Sequence, residues 1–255
     1  MIGPESPWLY GLLFLTGLVA GGIDSIAGGG GLITIPVLLG LGMPPQMVLG
    51  TNKFQASFGS FTAAYYYINE GVVFLKDAWL GITCTLVGAA LGTWAVQRID
   101  PGLLNFIIPF LLLAIAVYML FAHSPGATDE HARLSRVPFY VCCGGALGFY
   151  DGFFGPGVGS FWAIAFILGL GFNLTKATGY TKVMNFTSNI VSCVLFLIGG
   201  HVFFAAGVVM AAGQVIGARI GSRLVIRKGG ALIRPIFITI VILTTLKLIY
   251  NRLIS

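Results

Sequence analysis

Four ionisable side chains stand within or at the ends of long apolar blocks: Asp24, Lys53, Asp151 and Lys182. Lys53 lies in TNKFQASFGSFTAAYYYI and Lys182 in GYTKVMNFTSNIVSCVLF. A lysine at the centre of a membrane helix costs about 2.5–3.5 kcal/mol by insertion scales unless something compensates it. One resolution is snorkelling, since Lys53 is only about six residues into its apolar stretch. The other is a pair of cations that attract an anion and hydrogen-bond it. Polar neighbours favour a wet face: Asn52, Gln55 and Ser60 near Lys53, and Thr181, Asn185 and Asn189 near Lys182. Lys182, Asn185 and Asn189 follow i, i+3, i+7 spacing, one face of a helix.

Each aspartate precedes a glycine-rich run: Asp24-Ser-Ile-Ala-Gly-Gly-Gly-Gly31, and Asp151-Gly-Phe-Phe-Gly-Pro-Gly-Val-Gly159. Glycine is a poor helix former, by about 1 kcal/mol per residue relative to alanine. Non-helical backbone at membrane depth persists only where protein buries it or it lines a cavity. A short helix starting after each break presents free N–H groups and a positive dipole end, which suit a small oxyanion. Gly29, Gly30, Gly31, Gly157 and Gly159 are therefore candidate anion ligands, with Lys53, Lys182, Asn52, Thr181 and Asn185. Pro156 fits near a helix start. The competing reading of the glycines is close helix packing. Asp24 and Asp151 could cap the glycine-loop amides, exchange a proton, or pair with a lysine.

Enzyme chemistry has little support. His123, His131 and His201 are scattered, no HExxH or nucleophile–base arrangement occurs, and GGGG lacks the following Lys-Ser/Thr of a P-loop. No metal site or cofactor is expected. Cys84, Cys142, Cys143 and Cys193 read as small core residues, with the adjacent Cys142–Cys143 as a redox or metal pair the alternative.

The elements that must position these residues are membrane helices. The chain is 57% hydrophobic and 9% charged, with mean hydropathy +0.94. Soluble domains carry roughly 25% charged residues. Apolar blocks such as 102–122 are long enough to cross about 30 Å of hydrocarbon. They do not alternate as barrel strands would. The first block lacks a basic leader and reads as part of the fold rather than a signal peptide.

The chain also repeats itself. Gly88, Gly92 and Arg98 match Gly217, Gly221 and Arg227 at one offset, as Gly50 and Lys53 match Gly179 and Lys182. Asp24, Gly28 and Gly30 match Asp151, Gly155 and Gly157 at a nearby one. The expected organisation is a first membrane repeat over 1–122, an inter-repeat loop over 123–137 and a second repeat over 138–255. Apolar stretches fall at 8–24, 31–42, 47–69, 76–97 and 102–122, and at 138–151, 157–171, 176–199, 203–226 and 231–251. The second of each set is too short to span. Either the first two stretches make one broken crossing, giving parallel copies, or they make a re-entrant hairpin, giving three further crossings and inverted copies. The inverted arrangement gathers Lys76, Arg133, Arg136, Lys176, Arg223, Arg227, Lys228 and Arg234 on one side, leaving Arg98 and Arg252 opposite. That agrees better with the positive-inside bias and puts the 123–137 loop inside. The fold expected is an all-α integral membrane protein of two inverted repeats, each a glycine-broken hairpin plus three helices.

At these residues the chain resembles the sulfite exporter TauE/SafE family of prokaryotic membrane proteins. The resemblance rests on DSIAGGGGLITIPVLLGLGMPP followed by GTNK, and on GFYDGFFGPGVGSF followed by ATGYTKVMNFTSN. It implies export of small sulfur-containing anions such as sulfite, sulfoacetate or related organosulfonates, from a multi-pass cell-membrane location. Nothing in composition or spacing singles out sulfur. The expected partners are a small inorganic or organic anion and the lipid bilayer, without nucleic acid, and with a homodimer left open. A passive anion channel is the alternative function, and an intramembrane enzyme a more distant one.

Overall fold

The computed structural model describes residues 7–121 and 128–228. Among these the secondary structure is entirely helical: α1 (Pro7–Ala27), α2 (Gly31–Gly40), α3 (Pro45–Asn69), α4 (Leu75–Val96), α5 (Pro101–Phe121), α6 (Arg136–Phe153), α7 (Val158–Leu170), α8 (Leu174–Ile198) and α9 (Phe204–Lys228). The last apolar stretch, 231–251, lies outside the described residues.

Four of these helices are long and apolar enough to cross a membrane: α1, α4, α8 and α9. Their outward faces carry large apolar side chains such as Trp8, Leu15, Trp79, Leu91, Val194 and Ile220, as a lipid-facing surface requires. α3 is equally long but too polar. Its Thr51, Asn52, Lys53, Gln55, Ser57 and Ser60 are all buried, so its polar face is enclosed by neighbouring helices rather than offered to lipid.

Helix directions follow from the contacts. α3 crosses α8 antiparallel: Gly50 lies against Phe196, Ser60 against Asn189 and Tyr67 against Gly179. α1 packs along α9 in the same direction, Gly17 on Met210, Gly21 on Gln214 and Ser25 on Gly221. α4 and α6 also run together, Cys84 on Gly144, Thr85 on Gly148 and Ala89 on Gly152. α9 runs with α3, and α8 with α4. α1 and α3 therefore point the same way, and the short α2 between them turns back. The same holds for α6, α7 and α8.

Small residues permit these approaches, as in membrane helix pairs generally. A Cβ on Gly217 would strike the backbone of Leu18 and Gly22, and one on Gly88 the backbone of Gly145 and Phe149. Positions that match in sequence thus make matching contacts, each with the other half of the chain.

The ends differ in charge. The end holding the starts of α4, α6 and α8 carries Lys76, Arg136 and Lys176, with Arg223 and Arg227 from α9. Arg98, Asp100 and His201 sit opposite. Residues 128–135 fold onto the α7–α8 turn: the N–H groups of Arg133 and Leu134 donate to Gly169 O, and Asp129 accepts from Asn173 N.

Candidate functional site

The two glycine breaks meet. Between α1 and α2, Gly28 adopts φ 69°, a left-handed conformation open to glycine. Gly157, at φ 81°, plays the same part before α7. A Cβ on Gly159 would come 2.6 Å from the Cα of Gly28, so the two breaks touch backbone to backbone. The hydroxyl of Ser160 donates to Gly28 O across the junction. Pro156 stands two residues before α7 rather than in its first turn. There it faces Gly31, where a Cβ would lie 3.1 Å from the proline ring.

The ionisable residues form two crossed pairs at this junction. Lys53 of α3 bonds Asp151 of α6, and Lys182 of α8 bonds Asp24 of α1. Both aspartates lie inside the last turn of their helices, which run a few residues past the ends expected from sequence. Both lysines are buried: their side chains are 2% and 0% exposed. Asp151 is 3% exposed, whereas Asp24 is 23% exposed.

Asp24 serves its own loop. Its Oδ1 accepts from the N–H groups of Gly29 (3.0 Å) and Gly30 (3.2 Å). Lys182 Nζ donates to the backbone carbonyl of Asp24 and, at 3.2 Å, to its Oδ2. Asp151 serves other elements. It accepts from Lys53 and from the Ser188 hydroxyl on α8. Lys53 also donates to Asn189 Oδ1 at 3.2 Å. The second loop is closed instead by Tyr150, whose hydroxyl donates to Pro156 O at 2.6 Å and whose carbonyl accepts from Gly155 N.

A cavity of about 30 Å³ lies between the breaks. Lys53, Asn52, Asn185, Gly31, Gly157 and Gly159 line it, together with both aspartates. The N–H groups of Gly157 and Gly159 find no acceptor among the described residues. Asn185 Oδ1 is buried without a partner. A water needs about 10–15 Å³ by this measure, so the cavity has room for a few waters. The cavity is small for an organosulfonate, and Asp24 on its wall is partly exposed.

The predicted residues divide accordingly. Lys53, Asn52, Asn185, Gly29, Gly31, Gly157 and Gly159 face the cavity. Lys182 stands behind Asp24, and the N–H groups of both Gly29 and Gly30 are taken by that carboxylate. Thr181 does not line the cavity, and its buried hydroxyl has no partner. Ser188 was not anticipated. It lies one turn beyond Asn185, so the helical spacing from that residue could have found it.

Residues 13–248 match the family described as Sulfite exporter TauE/SafE. A "Probable membrane transporter protein" of Haemophilus influenzae is 48% identical over 244 residues, covering 96% of both chains. The "Probable membrane transporter protein YfcA" of Escherichia coli K12 is 48% identical over 246 residues, 96% of this chain and 91% of that one. A "Sulfite exporter TauE/SafE family protein 6" of Arabidopsis thaliana is 30% identical over 106 residues, 42% of this chain and 24% of that one. No solved structure matches the chain. The family match and the two bacterial likenesses span nearly the whole sequence, and they show that the chain is a membrane transporter belonging to the TauE/SafE sulfite exporter family.

Proposed function

We propose that this protein exports a small anion of the sulfite or organosulfonate class across the cell membrane, by alternating access around the meeting point of the two glycine breaks. The supporting observation is the cavity there, where Lys53, three amide side chains and two unspent backbone N–H groups converge. The class of anion rests on the family.

Inverted repeats are the organisation this reading adopts. α3 and α8 are corresponding helices by the sequence match, and they run antiparallel. Copies of parallel topology would run them the same way. The partner exchange then decides which bodies move. α1 is married to α9 and α4 to α6, so the sequence halves cannot rock as units. The moving bodies would be α1–α3 with α9, and α6–α8 with α4, sliding at the α3–α8 crossing.

Charge balance sets the energetics. Two lysines and two aspartates leave the site neutral, so an arriving anion must compete with a carboxylate for its lysine. Asp24, the more exposed carboxylate, is the one to yield. If the anion moves alone, an inside-negative potential drives it outward with about 2.3 kcal/mol per charge per 100 mV. If Asp24 takes a proton with each anion, the transfer is neutral and the potential drops out.

Proteoliposomes loaded with labelled sulfite or sulfoacetate test both points. Saturable efflux with counterflow, accelerated by a clamped inside-negative potential, is the expected result. Flux unchanged in both Lys53→Ala and Lys182→Ala overturns the binding site. Non-saturable flux without counterflow means a passive channel.

A further inference from the structure

Outside the central site, α9 carries Arg219, Arg223 and Arg227 at i, i+4, i+8, and all three are exposed. This spacing puts them in one stripe along the helix. Beside them Val215, Ile216 and Ile220 are also exposed, so the stripe runs over a lipid-facing surface. Arg223 and Arg227 lie near the basic end of the protein, where arginine is ordinary. Arg219 is not. It precedes Lys228, the last residue of α9, by nine positions, about 13 Å along the axis. Helical side chains lean towards the helix N-terminus, here away from the basic end. Arg219 therefore gains little by snorkelling back to the headgroup plane.

Among the described residues no carboxylate is paired with this stripe. α1 and α3 flank α9; Asp24 is held by Lys182, and Glu70, exposed just past the end of α3, lies at the basic end, level with Arg223 and Arg227 rather than with Arg219. Residues 229–255 contain Arg234, Lys247 and Arg252 but no aspartate or glutamate. Two copies meeting face to face here would set arginine against arginine. Glu70 can serve the arginines at the basic end, whereas Arg219, deeper along α9, is left to an anion from the bilayer.

We propose that this face of α9 seats the headgroup of an anionic phospholipid from the leaflet at the basic end, its phosphate drawn down to Arg219. Guanidinium groups suit phosphate because they offer paired donors in a planar fork. A zwitterionic lipid would bring an ammonium towards three arginines, so the stripe selects net negative headgroups.

The test compares thermal unfolding of the full chain in phosphatidylcholine nanodiscs with and without phosphatidylglycerol, and counts retained lipids by native mass spectrometry. The unmodified protein should melt several degrees higher with phosphatidylglycerol and retain it through the spectrometer. Arg219→Leu/Arg223→Gln should lose most of both effects, and Arg98→Gln, at the opposite end, neither. Should the double variant not fold, Arg219→Lys serves, with weaker lipid retention expected. Equal stabilisation by both lipids, or an undiminished response in the variants, overturns the proposal. So does a lipid-independent change in oligomeric mass on mutation, which would make this face a contact between copies.

Discussion

The two glycine breaks occupy corresponding places but are held together by different chemistry. The first depends on a carboxylate: Asp24 bonds the amides of Gly29 and Gly30 and meets Lys182. The second depends on Pro156 and the Tyr150 hydroxyl, which leaves Asp151 free to join Lys53 and Ser188. The shape of the first break is thus coupled to the charge of its acid, and the shape of the second is not. In the proposed cycle the α1–α2 break would therefore be the responsive one.

The contrast can be broken by experiment. The largest effect is expected for Lys53→Met, which leaves the buried Asp151 without its cation. Removing one member of a buried pair costs about 3–5 kcal/mol, read as a lower unfolding midpoint in detergent. Lys53→Met/Asp151→Leu should recover most of it, and a double variant as unstable as the single would refute the buried-pair description. Lys182→Met should cost less, about 1.5–3 kcal/mol, because Asp24 keeps its two amide donors and some exposure. Equal losses for the two lysines would erase the distinction between the breaks.

Next comes Gly28→Ala. It meets both the left-handed backbone and the opposing Gly159. Overpacking of this kind costs about 1–3 kcal/mol, and transport should fall further than stability if the proposed cycle pivots on this junction. Gly145→Ala, with open space around its Cβ, is the neutral control. The smallest effect belongs to Thr181→Val. Removing an unpaired buried hydroxyl should leave stability within about 1 kcal/mol or raise it. Normal flux in this variant would confirm that Thr181 lies off the anion's path, and a large loss would return it to the site.

Much of the site was legible because its signals are local. Glycine runs, each with an aspartate before it and a membrane lysine beyond, mark the junction without any knowledge of packing. What sequence left open was who pairs with whom. Lys53 and Asp151 are 98 positions apart, and Lys182 and Asp24 158. Their meeting depends on the antiparallel crossing of α3 and α8, which no local pattern encodes. Thr181 was included because it neighbours Lys182 in sequence, yet adjacent helical residues point about 100° apart. The paired glycines on α4 and α9 were visible as a repeat, but nothing in them says that each packs on the opposite half. The charge bias could favour the inverted arrangement because it reads the ends of helices, which sequence places well.

The exchange of helix partners has a consequence for biogenesis. As the chain emerges, α1 enters the membrane with Gly17, Gly21 and Gly22 bare along one side, and the helix that covers them ends at residue 228. α4 likewise waits for α6. The first half is therefore an unfinished object until nearly the entire chain has been made. Neither half expressed alone has its own complement of partners, so separate halves should be degraded, and co-expression should rescue them together or not at all.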